Sequence, residues 1–202
     1  MHSNNVEKKV TNRKTLLIIL FLFMLPVLIS FVLYFVQWRP SNTVNYGELI
    51  LPSRTIADRN MFAIDGSPVK FSSLHGKWTM VYFDTAVCPE SCMSQLFFMC
   101  QTHTAQGKNY DQMRRLMVLT DVQGIDSLKS RLTDYADMLV WHSDKAEVAK
   151  LLQEFAPDAS AADAQHYIYL LDPQGNLMMR YKLGAEPAGV RKDLERLLKY
   201  SN

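Results

Sequence analysis

The chain has 202 residues, 48% of them apolar and 21% charged, which is enough to build one sizeable core and too apolar for a solvated tail. A formal charge of +2 supplies no basic stripe of the kind nucleic acid requires, so no nucleic-acid partner is expected. Three cysteines are too few for a disulfide framework, and no phosphate loop, His-Glu-x-x-His or serine elbow points to a nucleotide enzyme or hydrolase.

Residues 1–14 form a short arm in which Lys8, Lys9, Arg13 and Lys14 are opposed only by Glu7. From Thr15 to Val36 there is no charge, a run of about 22 residues against the roughly 20 needed to cross a bilayer. It closes on Tyr34, Phe35 and Trp38, an aromatic belt rather than a small-residue cleavage site, so residues 15–37 are expected to be an uncleaved transmembrane anchor. Pro26 inside it is tolerated in membrane helices. Positive flanks stay in the cytoplasm, and Arg39 is the one close basic residue on the far side. The expected topology is therefore a bacterial inner-membrane protein with a cytoplasmic N-terminus and a periplasmic C-terminal domain. Setting the arm's charges aside leaves 18 basic and 19 acidic residues, a nearly neutral outer portion.

Residues 38–59, rich in Ser, Asn, Thr and Pro with one apolar patch at Leu49, Ile50 and Leu51, read as a linker. Residues 60–202 then alternate regularly. Met61 to Phe71 reads as a hairpin about Asp65-Gly66, and Trp78 to Asp84 as a buried strand. A helix is expected from Ser91 to about Gly107, a buried strand at Arg115–Thr120, and helical spacing through Ile125, Leu128, Leu132 and Tyr135. Met138–Trp141 reads as a short strand and Ala146–Phe155 as a helix. His166–Leu171 and Leu177–Leu183 flank an Asp172-Pro173-x-Gly175 turn, and Pro187–Tyr200 carries a closing helix. Arg114 and Arg115, with the mixed charges of the later helices, read as solvated positions. Strands alternating with helices give a thioredoxin-like three-layer α/β/α domain preceded by a single transmembrane helix.

The chemistry concentrates at Cys88-Pro89-Glu90-Ser91-Cys92, where a buried strand hands over to a helix. Free N–H groups and the positive end of a helix dipole favour a thiolate, the form that exchanges disulfides and binds soft metals. Both sulfurs are expected to be reachable from outside the bilayer. Residues four apart share one face at a helix start, so a disulfide between the two is geometrically open. Cys100 falls among Phe97, Phe98 and Met99 and reads as a packed thiol. Asp84, four residues before Cys88, is placed to cap the loop or accept a proton. His103 and His142 read as solvated, His75 as turn chemistry, and Met93 as core filling beside a possible thioether donor.

Gly76-Lys77-Trp78, Val81-Tyr82-Phe83, Cys88-Pro89-x-x-Cys92 and Tyr169-Leu170-Leu171-Asp172-Pro173-x-Gly175, taken in that order, resemble the Sco (SenC) proteins. The resemblance covers about residues 15–200. It implies a membrane-anchored, thioredoxin-like factor for copper delivery to cytochrome c oxidase, with Cys88 and Cys92 as metal ligands. It also implies an oxidase subunit or a copper-bearing assembly factor as partner. The family's third ligand is a histidine some nine residues before the proline of the turn. That count lands on Ala164, and His166 stands two residues further, one side-chain period or about 6–7 Å along a strand. His166 is thus the candidate third ligand. Three readings follow: copper handling by Cys88, Cys92 and His166; thiol–disulfide exchange by Cys88 as attacking and Cys92 as resolving thiol; or a non-catalytic assembly scaffold.

Overall fold

Residues that carry no charge and cannot bond water in lipid must satisfy their own backbone, and the N-terminal run does so as helix α1, Asn5–Phe35. Its stretch Arg13–Phe35 is long and apolar enough to span a membrane, and its side chains are exposed throughout. The computed structural model describes residues 5–36, 45–135, 137–157 and 161–199, with side chains from residue 13 onward except at 161 and 162. Expectations for residues 1–4, 37–44, 158–160 and 200–202 lie outside it. The chain divides into two units at Thr43/Val44, and the second carries the sheet.

That sheet has eight strands in the order β1-β8-β7-β4-β5-β6-β2-β3. They are β1 (Glu48–Thr55), β2 (Asn60–Ala63), β3 (Pro68–Lys70), β4 (Trp78–Asp84), β5 (Met113–Leu119), β6 (Met138–His142), β7 (Tyr167–Leu171) and β8 (Asn176–Lys182). Strand β4 is apolar on both faces, which is why it lies in the middle. It pairs in parallel with β5, Val81 opposite Leu116, and antiparallel with β7, Val81 opposite Tyr169.

Alternation along the strands makes two cores. Met80, Tyr82, Ile168 and Leu170 face the first, under α2 (Glu90–Thr104), α3 (Ile125–Arg131) and α6 (Pro187–Lys199). Val81, Phe83, Tyr169 and Leu171 face the second, under α4 (Lys145–Phe155). Phe83, Phe155 and Tyr169 meet edge to face there, with ring centroids 5.0–6.0 Å apart. Helix α4 starts where Asp144 accepts the N–H of Glu147 at 2.9 Å, and the short α5 (Ala161–Ala164) leads into β7. This is the expected thioredoxin-like α/β/α arrangement.

Two expectations need correction. The linker does not reach residue 59, because Glu48–Thr55 is an edge strand running antiparallel to β8, Glu48 opposite Arg180. The buried carboxylate of Asp193 on α6 fixes its start by accepting the N–H groups of Tyr46 and Gly47 at 2.8 and 2.9 Å. Arg115 is not solvated: it is 1% exposed in β5 and pairs with Asp137. Its place on a strand buried on both sides leaves it no path to water.

Candidate redox-active site

Strand β4 ends at Asp84, and the chain turns sharply before α2. Thr85 O accepts the N–H of Cys88 at 3.2 Å, and Asp121 O accepts that of Ala86 at 2.8 Å. Cys88 has φ +39°, the one left-handed non-glycine residue among those described. Pro89 follows as the N-cap of α2, and its carbonyl takes the first helical bond, from Met93 N–H at 3.0 Å. Cys92 therefore lies in the first turn of α2, and Cys88 just outside it. They form a disulfide with Cα atoms 5.1 Å apart.

The disulfide is not open to solvent, contrary to the sequence expectation. Both cysteines are 0% exposed and pack with Tyr82, Ala86 and Leu96 in the first core. Leu128 of α3 belongs to the same core. Arg131, in the last turn of α3, donates from Nη1 to Cys88 O at 2.7 Å and to Val87 O at 3.1 Å. A left-handed residue costs about 1–2 kcal/mol, while a hydrogen bond from a charged donor contributes roughly 1.5–3 kcal/mol. The guanidinium thus ties the Val87–Cys88 turn to the end of α3. Sequence reading gave no sign of Arg131, because it lies 43 residues from Cys88 and no local pattern marks it.

Asp84 is committed elsewhere than to the thiols. Its two oxygens accept the Tyr82 hydroxyl at 2.6 Å and the Thr85 N–H at 2.7 Å. It caps the turn, and Tyr82 is held protonated well above its ordinary range, by burial first and then by this carboxylate.

The structure brings Cys88 and Cys92 together but does not gather His166 with them. His166 is exposed in the turn before β7 and lines a groove with Phe155, Ala156 and Tyr167, residues of the second core or packed against it. Ala164 is buried in that second core. Among the described residues no three His, Cys, Asp or Glu side chains form a group able to hold a metal. Met93 packs partly buried against the first core, and Cys100 is a half-buried free thiol. His142 stacks on Phe62, and His75 fills the space beside Gly175, where a Cβ would lie 2.7 Å from its Nε2. His103 is buried, not solvated, stacked on Tyr110 at 3.9 Å with Nε2 donating to Tyr110 O at 2.9 Å.

A cysteine pair bridging the strand-to-helix turn of a central strand, in a sheet covered on both faces, defines a thioredoxin-like protein. The chain belongs to the family described as transmembrane-like, thioredoxin-like, C-terminal domain, whose model matches residues 78–201. No curated protein matches it. Among solved structures it is similar to copper-bound ScoI of Bradyrhizobium japonicum, at 23% identity and TM-score 0.55 over 70% of this chain and 98% of that one. Copper-bound yeast Sco1 matches at 20% identity and TM-score 0.59 over 71% and 92% of the two chains. The thioredoxin domain of a thiol-disulfide oxidoreductase from Bacteroides vulgatus matches at 18% identity and TM-score 0.56, over 74% and 99%. At these identities the likeness establishes the fold, which is that of the Sco proteins.

Proposed function

We propose that this chain is a membrane-anchored thiol–disulfide exchange protein of cytochrome c oxidase biogenesis, with Cys88 and Cys92 as its redox pair. The observation that carries the reading is the disulfide across the turn between β4 and α2. Both sulfurs lie at the positive end of α2, where the first N–H groups lack helical partners and favour a thiolate. In the reduced chain the Cys88 thiolate attacks a partner's disulfide and expels one partner sulfur as a thiolate. The Cys92 thiolate then attacks Cys88 Sγ and releases the second partner sulfur. Two electrons pass to the partner, which leaves as a dithiol, and Cys88–Cys92 closes as found here. A dithiol donor must afterwards reduce it again. The partner suggested by the Sco likeness is a cysteine pair of an oxidase copper site or of a copper-bearing assembly factor.

Cys92→Ser removes the resolving thiol, and the chain should then accumulate a mixed disulfide, visible as a reducible adduct on non-reducing gels. Absence of any adduct, with the variant folded and in the membrane, would remove the exchange reading. Copper handling is the second reading, favoured by the two copper-bound neighbours. On that reading copper is cargo held by the two thiolates, and anaerobic Cu(I) titration should be unchanged by His166→Ala if His166 stays apart.

The membrane side follows from charge. Lys8, Lys9, Arg13 and Lys14 precede the span and favour a cytoplasmic N-terminus at the bacterial inner membrane, with the thioredoxin-like domain in the periplasm.

A further inference from the structure

We propose that Arg131 is a positioning residue for the exchange reaction, a latch whose guanidinium shuts the Cys88–Cys92 disulfide away and must let go before either sulfur reacts. The inference rests on the thiol-exchange reading and adds to it what controls access. Three observations converge on one turn. Cys88 carries the only left-handed non-glycine backbone among the described residues. Its carbonyl and that of Val87 both accept Arg131 Nη1, at 2.7 and 3.1 Å. Both cysteines are 0% exposed, whereas Val87, the residue before Cys88, is 60% exposed.

The elements around the turn point the same way. Helix α3 has only seven residues and enters from Gly124 at φ +89°, where an added Cβ would lie 3.9 Å from Val87 Cα. From this short helix Leu128 packs on the core that holds the sulfurs, and Arg131 reaches the turn carrying Cys88. When Arg131 withdraws, the Val87–Cys88 turn loses its two charged contacts and the strained residue is free to relax outward. A partner that offers a carboxylate or carbonyl to Arg131 would release the latch as it docks.

Dithiothreitol reduction of the full chain in detergent tests this without a biological partner. One dithiothreitol thiolate attacks the disulfide and expels a cysteine thiolate. Its second thiol then closes to the cyclic disulfide, leaving Cys88 and Cys92 as thiols. Arg131→Ala should be reduced about tenfold faster or more than the unchanged chain, the size expected for losing a charged hydrogen bond. Arg131→Lys, which keeps a charged donor, should restore slow reduction. Lys129→Ala is the control for a merely weakened helix, since Lys129 shares that last turn but pairs with Asp126 at 3.6 Å. Equal rates for Arg131→Ala and the unchanged chain, or equal acceleration by Lys129→Ala, would overturn the latch while leaving the exchange reading to the Cys92→Ser result. Failure of dithiothreitol to open the bond in every form would overturn both.

Discussion

Asp137 gathers His103, Tyr110 and Arg115 into one buried-edge cluster: it accepts from the Tyr110 hydroxyl and Arg115 Nη2, and lies 3.7 Å from His103 Nδ1. Because Nε2 donates to a carbonyl, the neutral ring leaves Nδ1 bare, and that atom has no hydrogen-bond partner. Burial is the leading cause that lowers the His103 pKa below its ordinary 6.5; the bond to the Tyr110 carbonyl opposes it, the positive charges of Arg115 and Lys77 add to it, and Asp111 opposes weakly. The sign follows from linkage. As pH falls through 6.5 the unfolded chain takes up the proton first, so stability is complete above that value and declines below it. Urea midpoints at pH 7.5 and 5.5 should therefore differ, and His103→Gln should shrink the difference. An undiminished difference in the variant would assign it to other groups. None of this was legible in the sequence, where His103 is one polar residue on an amphipathic helix and its partners are contributed by a loop and a strand.

Among elements, β1 separates what a sequence shows from what it hides. Strands β4, β5, β7 and β8 were legible because their apolar runs are buried by any partner, and Asp172-Pro173-x-Gly175 marks the turn between the last two. Strand β1 was not, since Leu49 and Ile50 are short apolar interruptions in polar chain, and the partners of Glu48 and Leu49, Arg180 and Met179, come about 130 residues later. Its docking is tight at Gly47, where an added Cβ would lie 2.5 Å from Tyr181 Cε1 and 2.9 Å from Met179 Cε, both on buried residues. Gly47→Ala should cost about 1–3 kcal/mol in denaturant melts, the usual penalty of overpacking. Gly189→Ala meets Tyr46 at Cγ and Cβ, 2.5 and 2.9 Å from the added atom, so the Tyr46 main chain must shift and stability should fall there too. An unchanged melt for Gly47→Ala would mean that the start of β1 yields freely.

Across the whole molecule, the long apolar helix and the thioredoxin-like class were both readable, one from an uncharged run and the other from the order of strands, thiol pair and helices. The accessibility of the thiols was not, because it depends on packing between parts of the chain far apart in sequence, such as Arg131 against the Val87–Cys88 turn. The proposed topology has its own check. A C-terminal alkaline phosphatase fusion, which matures only where disulfides form, should be active, and the chain should stay with membranes in alkaline carbonate. An inactive fusion with the chain still membrane-bound would reverse the orientation and set the thiol pair in a reducing compartment.

The third cysteine gives this chain a built-in gauge. With Cys88 and Cys92 bonded, Cys100 is the sole sulfhydryl available to a maleimide after denaturation. An oxidised copy thus gains one tag and a reduced copy three, from the three cysteines of the sequence. Mass shifts on a blot would report the redox poise of the unaltered protein in living cells, without an engineered sensor.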